Sequence, residues 1–512
     1  MKASEAASVI ALLLAQALQL GLAARADGLT SDELLYVPAG YLQVARGDYS
    51  LNRTHPPLGP TLAGVALLGS GAHIPERLPG EDDLTYCWRF LHRENAGRAL
   101  WERARLAVVA LALLLSAGLW WWARGTFGPA AGLVALALAA FHPTLLAHGH
   151  LATTDLPAAA GMDASAGAYW AWSARPTRTR AVVLAAALGL ALAVRVTSGL
   201  MVPAFAILEA LAWRIGRRRG RELAEAVVIG LVVAPLAIVL AYGFDRGSVA
   251  AYVEALRFQL GHNRRGHLTY LLGETSRHGW PWYFAVALAV KSTPGFLLGL
   301  GAAAWAAVRA TGDEVRRHWW LPAAIIFVAL SAGSIQIGER YLLPFHAFAI
   351  LLVASAAPHL LGSRAGRIVL GAILVAHVVP ALAVAPHGYL AYFNAIAGGP
   401  DGGHRVLLDS NLDWGQDLPR LASWMRRERV ARIALAYDGA DDPDRLGIVR
   451  DDLSGRNHYV PEGVDAPLRG TVVVSPSLVF GLVPREASRY AGLRSRAPDA
   501  RAGVFLVYRL QP

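Results

Sequence analysis

The chain has 512 residues, of which 55% are hydrophobic and 17% charged, and it carries a formal net charge of +11. The apolar residues fall in long uninterrupted blocks, which excludes a soluble chain of several domains and points to a bilayer. Cys87 is the one cysteine, so an internal disulfide and any thiolate-based zinc or iron–sulfur cluster are excluded.

A helix needs about 20 mostly apolar residues to cross a membrane, because no backbone polar group can stay unpaired in hydrocarbon. Candidate spans follow one another over residues 6–24, 104–123, 127–147, 158–174, 181–194, 197–213, 223–243, 282–309, 319–338, 341–361 and 366–386. The expected fold is mainly α: a polytopic membrane helix bundle of about 11 transmembrane helices. The fifth and sixth blocks are short and read as tilted spans or a re-entrant pair.

Arginines set the orientation. With Met1 and Lys2 in the cytoplasm, one set of alternate connections holds Arg124, then Arg175, Arg178 and Arg180, then Arg214, Arg217, Arg218, Arg219 and Arg221, then Arg309, Arg316 and Arg317, then Arg364 and Arg367. Lys and Arg near span ends resist translocation, so this face is expected to be cytoplasmic. Cleavage of the first block as a signal peptide would leave the rest of the chain oriented the same way. The expectation is a multi-pass protein of the plasma (inner) membrane with its amino terminus cytoplasmic. A nucleic-acid partner is not expected, because these arginines adjoin span ends and lack interleaved aromatic residues.

The opposite face receives residues 25–103, 148–157, 244–281 and 387–512, and function is expected there. The division is a transmembrane domain over residues 1–386, with an outer loop over 25–103, and a carboxy-terminal domain over 387–512. In the latter, the β-branched runs Arg432 to Tyr437, Thr471 to Val474 and Val504 to Tyr508 alternate with helix-like stretches such as Leu418 to Arg429. This pattern predicts a small α/β domain in the periplasm or outside the cell.

The first outer loop opens with Thr30-Ser31-Asp32-Glu33-Leu34-Leu35-Tyr36, followed by Gly47-Asp48-Tyr49 and by Asn52-Arg53-Thr54-His55-Pro56-Pro57-Leu58. Thr30 or Ser31 can cap a helix whose first turn holds both carboxylates. The same carboxylates at a membrane surface can also do chemistry, one taking a proton from an attacking hydroxyl or amine while the other orients it or binds a cation. Both readings hold together.

In this order the residues resemble the membrane glycosyltransferases of the GT-C fold, in particular glycosyltransferase family 39, which includes protein O-mannosyltransferases and bacterial aminoarabinose transferases. Further matches are Ala147-His148-Gly149-His150-Leu151-Ala152-Thr153-Thr154-Asp155, then Lys291-Ser292-Thr293-Pro294, then Glu339-Arg340-Tyr341-Leu342-Leu343-Pro344. The likeness covers about residues 1–386. The runs Tyr392 to Pro400 and Asp409 to Leu418 are similar to ones in bacterial members of the group. The resemblance implies an enzyme that takes a sugar from a polyprenyl-phosphate carrier and gives it to a protein, lipid or glycan acceptor on the outer face.

The residue types agree with that implication. A prenyl phosphate keeps its tail in lipid and its phosphate at the interface, so cations must wait at the outer edge. Arg340 in a tight outer turn, Arg195 between the two short helices and Lys291 in an apolar stretch are the candidates. Lys2 and Lys291 are the only lysines among 48 Lys and Arg residues, which suggests that a compact ammonium is needed at 291. Each of the three can also be an interfacial cation that reaches for headgroups. Asp155, flanked by Thr153 and Thr154, is either a cap or a substrate-binding carboxylate. Tyr36, His55 and His148 are further candidate substrate contacts. Trp414 is either a stacking shelf for sugar rings or a packing residue, and Asn411 or Asp413 is expected to cap the helix near Leu418. A divalent cation such as Mg or Mn would sit on Asp32, Glu33 and Asp155, with His55, His148 and His150 near, although the histidines lack a ligand spacing.

The expected mechanism is inverting transfer with Asp32 as general base, Glu33 orienting a substrate, and Arg340 with Lys291 stabilising the departing phosphate. The rival readings are a transporter or flippase for lipid-linked sugars, which requires polar residues near the bilayer centre and broken helices, and a non-catalytic membrane scaffold.

Overall fold

The computed structural model describes residues 2–216, 220–309, 314–455 and 466–511. The expected cytoplasmic arginines Arg217, Arg218 and Arg219 lie outside the described residues. The protein is mainly helical. Among the described residues six helices are long and apolar enough to cross a membrane, and up to eight if each of two bent pairs counts as one span. Among them are Ala3–Ala26, Gly97–Phe127, Gly220–Ala241 and Arg364–Ala383. Helices Asp155–Ala174, Arg178–Val194 and Glu314–Ser331 occupy three more of the expected spans.

Two expected spans are broken. Pro129–Ala140 and Pro143–Gly149 meet at 61°, and Tyr283–Lys291 and Pro294–Val308 meet at 116°. Pro143 and Pro294 account for both breaks: proline lacks the N–H that would continue the ladder and clashes with the preceding turn. Hydropathy alone smooths over such breaks. At the arginine-rich end, Arg124 Nε reaches Glu5 Oε1 at 2.5 Å, and Arg178 and Arg221 share Glu225.

At the other end the first long loop folds into helices Ser31–Arg46, Leu58–Val65 and Asp83–His92. The first two cross backbone to backbone. A Cβ on Gly40 would lie 2.0 Å from the Pro60 carbonyl oxygen, and one on Gly64 would lie 2.0 Å from that of Gly40, so only glycine permits the approach that brings the His55 turn beside Asp32. Residues 244–281 supply a helix, Ser248–Arg265, and a hairpin of β1 (Thr269–Leu271) with β2 (Glu274–Ser276). Neither was apparent from the sequence.

The carboxy-terminal region contains β3 (Ile433–Ala436), β4 (Arg450–Asp452), β5 (Thr471–Val474), β6 (Ala500–Ala502) and β7 (Phe505–Arg509), in the order β4-β3-β5-β7-β6. β3 runs parallel to β4 and β5, and β7 is antiparallel to β5 and β6. Helix Leu418–Glu428 buries Leu418, Leu421, Trp424 and Met425 against one face, on Ile433, Leu435, Val473 and Phe505. This region is pinned to the first loop: Gly28 N donates to Gln416 O at 2.8 Å, Ser31 N to Trp414 O at 3.1 Å and Leu29 N to Asp441 Oδ2 at 3.3 Å.

Candidate active site

Asp32 and Glu33 are neighbours in the first turn of helix Ser31–Arg46, and the helical turn of about 100° per residue sends them to different faces. Glu33 points inward and is fully buried. Arg105 Nε donates to Glu33 Oε1 at 2.8 Å and Arg105 Nη2 to Oε2 at 2.7 Å. The remaining Arg105 donors go to the carbonyls of Ala24, Asp27 and Gly28, so all five N–H groups of the guanidinium are used. Glu33 also accepts from Ala152 N at 2.8 Å, and from Thr30 N at 3.1 Å as in a capping box. Burial raises the Glu33 carboxyl pKa, but Arg105 outweighs it and holds the group below its ordinary range. The residue ties three segments together and turns away from the cavity, so it does not reach a substrate there.

Asp32 points the other way, with its side chain 30% exposed. Arg340 Nη1 donates to Asp32 Oδ2 at 2.8 Å and to Asp155 Oδ2 at 3.3 Å. Arg195 Nη1 donates to the other Asp155 oxygen, Oδ1. Two carboxylates and two guanidiniums thus alternate in one row. Indole and phenol rings support the cations: Arg340 lies 4.1 Å from the Trp414 ring centroid, and Tyr341 sits 4.8 Å from Arg195 and 5.4 Å from Arg340.

This row borders a cavity of about 410 Å³, which Asp32, Tyr36, His55, Arg195, Arg340 and Trp414 all help to line. The size falls within the roughly 300–1,000 Å³ usual for small-ligand sites. Burial, with Arg195 next, pushes the His55 pKa down to about 3, so its imidazole is neutral at pH 7. Burial, with Asp32 next, raises the Tyr36 phenol pKa. Neither is an acid or base near neutrality. Asp32 and Asp409 are the carboxylates that line this cavity, and Asp32 is the one bonded to Arg340.

Arg340 also borders a second, smaller cavity with Lys291 and His148. Lys291 Nζ donates to Leu390 O at 2.7 Å and to Asn411 O at 2.6 Å, and lies 4.4 Å from the Phe393 ring centroid. Among the described residues it forms no ion pair. A buried ammonium held only by carbonyls and a ring has an incompletely balanced charge.

Asp32, Tyr36, His55, Asp155, Arg195, Arg340 and Trp414 therefore converge, and Lys291 and His148 lie at the adjoining cavity. One face of the Trp414 ring is taken by the Arg340 guanidinium. Asn411 and Asp413 do not cap the helix at Leu418, whose N-cap position is Asp417. Asn411 instead accepts from Glu339 N at 2.8 Å and donates to Tyr283 Oη, and Asp413 accepts from Gly415 N. Among the described residues no group of three or more His, Cys, Asp and Glu is placed to hold a metal. The suggested Mg or Mn ligands are already taken: Asp32 by Arg340, Glu33 by Arg105 and Asp155 by Arg195. His150 bonds Asp27. The residues do not fit a divalent cation. Tyr341, which braces both arginines, was quoted in a motif without a role. Gln259, His262 and His267, also on the larger cavity, carry no signal beyond their place in an outer loop.

Solved structures share this architecture. The crystal structure of ArnT from Cupriavidus metallidurans in the apo state aligns over 98% of both chains, with 18% identity and a TM-score of 0.51. The same protein bound to undecaprenyl phosphate aligns over 97% of both chains, with 17% identity and a TM-score of 0.50. The chain has the GT-C fold. The dolichyl-phosphate-mannose-protein mannosyltransferase family matches residues 97–242, the part of the GT-C fold that contains Arg105, His148, Asp155 and Arg195. No curated protein matches the chain. It is thus a multi-pass membrane protein with a glycosyltransferase fold.

Proposed function

We propose that the protein transfers a sugar, with inversion, from a polyprenyl-phosphate carrier to an acceptor at the outer face of the membrane. The observation that carries this reading is the shared Arg340: one guanidinium bonds the partly exposed Asp32 and borders the cavity of the unpaired Lys291. The likeness to a protein crystallised with undecaprenyl phosphate supports the carrier class. The arginine-rich end, by the bias of Lys and Arg toward the cytoplasm, supports an outer placement of the opposite end.

The acceptor heteroatom attacks the anomeric carbon from the side opposite the phosphate. Asp32 takes its proton, the carbon–oxygen bond to phosphate breaks, and the phosphate leaves as an anion that needs no acid. Arg340 and Lys291 face the growing negative charge. In the resting protein Arg340 holds Asp32. A donor phosphate competes for Arg340 and so releases Asp32 as it binds. Asp155 and Arg195 keep Arg340 in place during the exchange.

The two broken spans favour one other reading, a transporter for the same lipid, because such proteins place helix breaks at their substrate. Mass spectrometry of lipids and surface glycans in cells with and without the gene separates them. Transfer predicts that loss of the gene leaves an unused prenyl-phosphate sugar and removes one sugar from a surface glycan. Unchanged glycans, or a donor stranded only on the inner leaflet, would contradict it.

A further inference from the structure

The run Tyr392-Phe393-Asn394 packs against the helix that carries Lys291. Helix Tyr283–Lys291 stops at the 116° bend, which leaves the carbonyls of its last turn without helical partners. Asn394 satisfies three of them: its Nδ2 donates to Ala289 O at 2.7 Å and to Ser292 O at 2.9 Å, and its backbone N to Val290 O at 2.8 Å. The turn that carries Lys291 is therefore fixed by the segment that opens the carboxy-terminal region.

That segment also spends the ammonium's protons. Leu390 O takes one and Asn411 O a second, and an ammonium has three. Around the same small cavity, three more buried polar atoms have no hydrogen-bond partner among the described residues: the Tyr392 hydroxyl, Arg340 Nε and His148 Nδ1. Tyr392 is only 3% exposed. Buried polar groups of this kind destabilise a fold unless something bonds them. Both oxygens of Glu339, the one carboxylate on the cavity, are occupied by Thr144 and His346. The cavity holds about one water-sized group. It is a slot lined by donors for a single oxygen, too small for a whole phosphate.

We infer that Tyr392 is a ligand of the donor phosphate: its hydroxyl and the third proton of Lys291 grip one non-bridging phosphate oxygen, with Asn394 as the residue that positions the lysine. This rests on the prenyl-phosphate reading above and adds to it a residue from beyond the membrane bundle. No bond is made or broken in the step.

The test measures binding of radiolabelled undecaprenyl phosphate and of undecaprenol, which lacks the phosphate, to the purified full-length chain. Wild-type protein is expected to prefer the phosphate. Tyr392→Phe should lose about tenfold in affinity for undecaprenyl phosphate, as for a hydrogen bond to a charged group, and none for undecaprenol. Its unfolding midpoint should not fall, because the hydroxyl has no protein partner to lose. Asn394→Ala should erode the same preference, a readout that general loosening would not select. Tyr392→Phe binding the phosphate as tightly as wild type overturns the inference alone. Wild-type protein with no preference for the phosphate overturns it together with the proposed function.

Discussion

Two arginine–carboxylate centres lie one residue apart in sequence and differ in almost everything that matters for chemistry. Glu33 and Arg105 are both fully buried, and every donor of the arginine is matched. Asp32 shares Arg340 with Asp155, is 30% exposed and faces a cavity. The first centre is complete in itself and holds the loop, the helix Gly97–Phe127 and Ala152 together. The second has an arginine divided between two acids and one acid open to a guest. Access and the balance of donors, rather than residue type, separate a strut from a reagent.

The largest expected effect breaks the comparison on the Glu33 side. Glu33→Gln leaves Arg105 buried without its counter-charge, which costs about 3–5 kcal/mol. Thermal unfolding of purified protein should show a strongly lowered midpoint, and an unchanged one would mean that Glu33 is no strut. On the other side, Arg340→Lys replaces a planar fork by a point charge that cannot bond Asp32 and Asp155 together. Transfer should fall roughly a hundredfold, the scale for removing one charge-stabilising donor, with little change in unfolding. Trp414→Leu removes the ring under Arg340 and should weaken donor binding by about 0.5–2 kcal/mol, read as a raised KM.

A further effect is read against pH and comes from a third buried carboxyl, which forms no ion pair among the described residues. Burial, with Asp438 next, raises the Asp413 pKa to about 8. A carboxyl whose folded pKa lies above its unfolded value contributes stability in full only below the unfolded value near 3.9, and loses it as pH rises through about 8. Unfolding midpoints should therefore decline between about pH 5 and pH 8 in wild type, and decline less in Asp413→Asn. An identical slope in both proteins would show that Asp413 is paired.

Much of this was legible in the sequence because chemistry at a membrane rim needs charged residues where apolar blocks end. Asp32, Asp155, Arg195 and Arg340 stand out for that reason, and the structure joins them in one row. The β runs of the carboxy-terminal region alternate clearly enough to place β3, β5 and β7. What stayed hidden depends on direction. Nothing in the string Asp32-Glu33 says which carboxylate meets Arg105, because that partner is 72 residues further on. Hydropathy averages away the breaks at Pro143 and Pro294, and with them the reason that Asn394 sits at the end of the Lys291 helix. Trp414 is equally suited to a sugar or an arginine face until the fold brings Arg340 over it.

The most direct measurement is single-turnover transfer from an undecaprenyl-phosphate-linked sugar, followed as release of undecaprenyl phosphate by wild type and by Asp32→Asn. The account predicts that the variant binds undecaprenyl phosphate at least as well as wild type, since Arg340 is freer, yet releases it about a hundredfold more slowly or worse. Release by Asp32→Asn within about threefold of wild type, against the ~10²-fold or greater loss expected for a missing base, would contradict the account.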